Sequence, residues 1–135
     1  MKKERIKGKN EEELTKHIFL LESKLFQKTE SCQLIEQNSK GKYFNLNEQK
    51  QLYSDIFSVY PKLISTIWNA CPYLTGDDII YCCLIKYGLS ISEICFCMGN
   101  VNKQTANQRK YRIKKKMLEV ERMDLYNLIF ELEGV

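Results

Sequence analysis

The chain has 135 residues, 44% of them apolar, with 21 Lys and Arg against 17 Asp and Glu for a formal charge of +4. That is enough apolar material to bury the core of one ordinary domain with an extension. No apolar run long enough to cross a bilayer and no signal-peptide pattern occurs, so the sequence predicts a cytoplasmic chain that neither spans a membrane nor is exported by that route.

The opening Lys2, Lys3, Arg5, Lys7 and Lys9 form a basic stretch. Behind it, Leu14, Ile18, Leu21, Leu25, Lys28, Cys32 and Ile35 recur in alternating steps of four and three, the heptad pattern of a coiled-coil seam. The pattern predicts one helix over residues 11–37. Phe19, Leu20, Phe26 and Leu34 lie beside the seam and widen the apolar stripe beyond what a two-stranded coil requires. Two arrangements satisfy it: folding back on the next helix as a hairpin, or pairing with a second copy. In a parallel pair His17 would meet Glu22 of the second copy, while Lys24 would face Thr29, so charge encodes the partner weakly.

Asn38-Ser39-Lys40-Gly41-Lys42 reads as a polar link, and Asn45 or Asn47 as a cap for the next helix, whose apolar face is Leu52, Ile56 and Val59. Pro61 ends that face and suits the first position of a new helix over residues 61–70, carrying Leu63, Ile64, Ile67 and the core anchor Trp68. Thr75 is a candidate cap with Asp77 and Asp78 in the first turn behind it, and Gly88 a left-handed stop. Ser90 or Ser92 caps a short helix that ends at Gly99. Asn100 to Asn102 make a turn, and Asn102 caps the helix that follows.

That helix, residues 103–117, holds seven Lys and Arg and no acid. Ala106, Ile113 and Met117 fall at offsets of seven and eleven, on one side of a 3.6-residue helix, and dock it on a core. Lys103, Gln104, Asn107, Gln108, Tyr111, Lys114 and Lys115 point away. Amides pair bidentately with adenine edges, and lysine and arginine with guanine or phosphate, so this face combines base-reading chemistry with backbone anchoring. Helix, short helix, turn and basic helix predict a helix-turn-helix with the last helix in the major groove. Residues 119–133 then carry Met123, Tyr126, Ile129, Phe130 and Leu132 with acids opposite, an apolar face for the domain or for a dimer contact. The expected fold is all-α: an N-terminal helix region (1–40), connecting helices (41–72), a DNA-binding helix-turn-helix bundle (73–118) and a C-terminal interaction helix (119–135).

Leu74-Thr75, Gly88-Leu89-Ser90, Glu93-Ile94, Gly99, Lys103-Gln104-Thr105 and Arg112-Ile113 followed by Lys115-Lys116-Met117 resemble, in that order, the LuxR/GerE-like output domain of bacterial transcription regulators. The pattern is also similar to sigma-factor region four. The likeness covers roughly residues 57–118, since Tyr60-Pro61-Lys62-Leu63-Ile64 and Pro72-Tyr73 look like the segment preceding this domain in a class with helical-repeat sensor regions. It departs at Asn100, which reads as an extra turn residue, and at Cys95, where a small alanine is usual. The resemblance implies binding of double-stranded DNA by a homodimer, with RNA polymerase as a further partner and a membrane involved only if the chain belongs to a longer tethered protein.

Catalytic chemistry finds little to stand on. One histidine, His17, supports no nucleophile-base pair, Asp77 and Asp78 face different directions on a helix, and no phosphate-binding glycine loop occurs. The six cysteines include no CxxC pair, so Cys82 and Cys95 read as core residues and no metal or cofactor is expected. The expectation is a non-enzyme in which Lys103, Gln104, Asn107, Gln108 and Tyr111 face bases while Thr105, Arg109, Lys114 and Lys115 hold phosphates. Two other readings stay open: a helical protein-interaction module on the same scaffold, and RNA binding through the same basic face.

Overall fold

A computed structural model describes residues 2–38, 41–99 and 102–130, with side chains described from residue 11 onward. Among the described residues every regular element is a helix: α1 Lys2–Gln27, α2 Glu30–Gln37, α3 Leu46–Val59, α4 Pro61–Ala70, α5 Gly76–Tyr87, α6 Ile91–Cys97, α7 Lys103–Glu119 and α8 Met123–Phe130. Asn100 of the expected turn and Leu132 of the expected C-terminal face lie outside the described residues.

The single helix expected over residues 11–37 is two helices. Thr29 adopts an extended backbone, and its hydroxyl accepts from the Cys32 N–H while donating to the Phe26 carbonyl, which closes α1 and caps α2 together. The buried face of α1 also differs from the expected seam. Phe19, Glu22 and Phe26 are buried against α3 and α4, whereas Leu14, Leu21 and Leu25 are exposed. The hairpin arrangement therefore holds for the phenylalanine face, with Cys32 and Ile35 of α2 continuing into the core.

Glu22 explains why a carboxylate lies in that interface. The N-terminus of α4 begins at Pro61 with no side-chain cap of its own, and Glu22 accepts the Lys62 and Leu63 N–H groups from the neighbouring helix. Burial pushes its carboxyl up, against the lowering effect of those two N–H donors and the Lys62 charge. Glu22 is thus committed inside the chain, and the expected contact between His17 and Glu22 of a second copy is not open to it.

The remaining starts and stops follow local chemistry. Asn45, Thr75 and Ser90 each form a capping box with an acid three residues on, Glu48, Asp78 and Glu93. Gly88 ends α5 in the left-handed conformation. Trp68 donates its indole N–H to the Leu74 carbonyl, holding α4 to the approach of α5. Ahead of α3, the Phe44 N–H donates to the Phe96 carbonyl at 2.8 Å and the Tyr43 ring packs on Phe96, so the link from α2 leans on α6.

At the centre is α5, whose residues from Asp78 to Leu84 are all buried. It meets α3 and α4 on one side and α8 on the other. The C-terminal helix starts later than expected: α7 continues to Glu119, the chain turns through Glu121 at positive φ, and α8 starts at Met123. Leu125, Tyr126 and Ile129 are buried against α5 and α7, so most of the apolar face considered for a dimer contact is used within the chain. One continuous cluster of buried side chains runs from Phe19 to Ile129 and includes residues from all four expected segments.

Candidate nucleic-acid interface

The basic helix α7 starts where the Asn102 side chain accepts the Thr105 N–H at 2.7 Å. Ala106, Ile113 and Met117 are its buried residues, the three that the spacing places inward. Lys103, Gln104, Thr105, Asn107, Gln108, Tyr111, Lys114 and Lys115 are all exposed. At 100° per residue, Gln104, Gln108, Tyr111 and Lys115 align as a crest on the side opposite the core. Tyr111, at 71% exposure, stands clear of any packing role.

Two flanks border the crest. On one, the Lys110 ammonium lies 5.8 Å from the Phe130 ring centre and that of Lys114 lies 5.6 Å from that of Tyr126, so α8 supports the lysine side through cation-π contacts. On the other, Arg109 and Arg112 turn toward the start of α5. Both donate to one oxygen of the buried Asp78, at 2.7 and 2.8 Å. Beside them Lys116 reaches the carbonyl of the exposed Tyr73 at 3.3 Å.

Asp78 is the pivot of this side. Its other oxygen accepts the Thr75 N–H, and its own N–H donates to the Thr75 hydroxyl. Burial opposes its charged form, but the Thr75 N–H and the Arg112 and Arg109 charges outweigh that and hold the carboxyl below its usual range. Arg109, expected at the phosphates, lies on this inward side instead of the crest. Its side chain is 17% exposed and paired inward, while Arg112, at 51%, keeps half its surface open to solvent.

Sequence reasoning missed this clamp, although the signal was present. Arg109 lies three residues after Ala106 and four before Ile113, on the apolar face itself, and an arginine there needs a buried acceptor. In the sequence Asp78 stands out only as a first-turn acid behind Thr75. Tyr73 carried no spacing signal at all.

The six cysteines are buried and unpaired. Burial pushes the Cys82, Cys83 and Cys97 thiols up, Cys97 to about 12, which leaves them protonated and unreactive at neutral pH. Among the described residues no group of three or more His, Cys, Asp and Glu side chains is placed to hold a metal ion. Among the same residues no helix is long and apolar enough to cross a membrane. Compared with protein-family models, curated proteins and solved structures, the chain matches none.

Proposed function

We propose that this chain is a bacterial transcription regulator that binds double-stranded DNA sequence-specifically, with α5, α6 and α7 acting as a helix-turn-helix and α7 entering the major groove. The outer face of α7 carries this reading: a crest of amides, Tyr111 and Lys115, flanked by further cations, with no acid from Lys103 to Leu118. A helix that served only as packing material would not need such a face, and a clustered basic patch is what a polyanion selects even when the total charge is only +4.

Position along α7 divides the work. Lys103, Gln104, Asn107, Gln108 and Tyr111 occupy its first turns and face base edges, as in other readers of this geometry. Lys115 lies about 16 Å along the axis from Gln104 at 1.5 Å per residue, beyond a groove about 12 Å wide, and meets the phosphate backbone. Thr105, Arg112 and Lys114 anchor the flanks, and Arg109 holds the helix at its angle. A homodimer reading two half-sites about 10 base pairs apart completes the proposal, with RNA polymerase as the further partner of a regulator.

Selection from a randomised duplex pool, with the Gln104→Ala and Asn107→Ala variants alongside at fixed salt, tests it. A palindromic motif that changes with these variants supports a dimeric sequence reader. If a dimer neutralises about eight phosphates, log affinity falls against log salt with a slope near −7. Weak, salt-insensitive retention with no motif would overturn DNA binding, and preferential capture of single-stranded or structured RNA would move the polymer from DNA to RNA.

A further inference from the structure

The apolar stripe that α1 does not use inside the chain has a regular pattern. Leu14, Leu21 and Leu25 are 58%, 44% and 54% exposed, and Ile18 between them is partly exposed. Their steps of four, three and four place them in one row, well to the side of the face formed by Phe19, Glu22 and Phe26. The same steps continue to Glu11 at one end, if a further three is counted back, and at the other to Lys28, in the turn that immediately follows α1. Both end residues are exposed.

We infer that this row is a contact with a second copy of the chain, packed antiparallel along α1. Antiparallel pairing about the midpoint of Ile18 and Leu21 sets Leu14 against Leu25 of the second copy and Ile18 against its Leu21. The same register sets Glu11 against Lys28 of the second copy, and by symmetry Lys28 against its Glu11. Opposite charges therefore close both ends of a dry four-residue seam. A parallel pair would bring Glu11 to Glu11 and Lys28 to Lys28, with like charges at both ends, so orientation is encoded by the pair that brackets the leucines. Heptad spacing makes the row complementary to itself, which a chance scatter of exposed leucines would not be.

The seam is short. It falls below the roughly 800 Å² per partner of a standard stable interface, so the dimer is reversible and weak in free solution. Two half-sites on one duplex would strengthen it by raising the effective concentration of the second copy. The inference supplies the contact for the homodimer proposed above. Its test contains no nucleic acid, so either proposal can fail without the other.

Analytical ultracentrifugation of the full chain, from low micromolar to near-millimolar concentration, reads the association directly. A concentration-dependent monomer-dimer equilibrium is expected, abolished by Leu21→Asp with helical content and melting temperature retained. Glu11→Lys and Lys28→Glu should each weaken the dimer about tenfold, because each substitution acts at both ends of a symmetric pair. The double variant with both changes should recover the wild-type constant. A wild-type chain that stays monomeric throughout, or a dimer indifferent to Leu21→Asp, overturns the contact. A dimer insensitive to the single charge changes overturns its antiparallel orientation. The two charge variants alter exposed positions only, so they keep the test decisive even if Leu21→Asp disturbs folding.

Discussion

Asp78 shows how one buried carboxylate connects local capping to the placement of the basic helix α7. It closes the first turn of α5 and receives both arginines of α7, so its loss frees the cap and leaves Arg109 largely buried without its acceptor. Removing one member of such a pair costs more than the pair contributes, and Asp78→Ala should destabilise the chain by about 3 kcal/mol in urea unfolding. Because its carboxyl is held below the unfolded value, the stabilisation is present above the ordinary aspartate range and is lost as pH falls through the folded value. Wild type and Asp78→Asn should therefore converge in melting temperature toward acid, and an unchanged gap would assign the effect to shape alone. Tyr81 offers the opposite case. Its hydroxyl is buried with no hydrogen-bond partner among the described residues, and burial raises its pKa to about 12. An unsatisfied buried hydroxyl costs about 1 kcal/mol or more, so Tyr81→Phe should leave stability unchanged or raise it; a clear loss in thermal unfolding would show that the hydroxyl has a partner in solution.

Among the elements, α4 is capped by a residue from another helix, and its pH response has the reverse sign. Glu22 has a raised folded pKa, so the stability it contributes is fully present below its unfolded value and is lost as pH rises through the folded one. Glu22→Gln should remove that decline, so the melting temperature of wild type relative to the variant should fall from acid to neutral pH, whereas a constant difference would contradict the assignment. The same scale shows what sequence could and could not reveal. Pro61, Thr75, Gly88, Ser90 and Asn102 mark their helix ends because each supplies a bond or a backbone angle locally. The inward residues of α7 were legible for the same reason, since one helix period decides them. The break at Thr29 was hidden by a heptad pattern that runs through it, although Thr29 followed by Glu30 is itself a helix start. Which stripe of a broadly apolar α1 turns inward depends on α3 and α4, and the partner of Arg109 lies 31 residues away, so periodicity could not determine either.

At the scale of the molecule, the buried surface of α5 governs how the chain can be divided. The sequence alone sets residues 73–118 apart as a helix-turn-helix domain. Here Ile79, Ile80, Tyr81, Cys82, Cys83 and Leu84 are buried in succession, which no single partner face can achieve for a helix of 3.6 residues per turn. The helices α3 and α4 cover one side, and α8 covers another. Cutting at residues 73 and 118 would remove both covers, exposing several large side chains at a cost of about 1.5–3 kcal/mol each, a sum comparable to the total stability of an ordinary domain. The isolated 73–118 segment should therefore lack a cooperative thermal transition by circular dichroism, and its six-cysteine parent should resist alkylation until a single unfolding transition exposes the thiols together. A cooperative melt in the isolated segment would mean that α5 finds enough cover within α6 and α7. Absence of that melt, with one transition in the full chain, would mean that the placement of α7 depends on helices outside residues 73–118, so that the cover supplied by α3, α4 and α8 belongs to the same folding unit as its basic face.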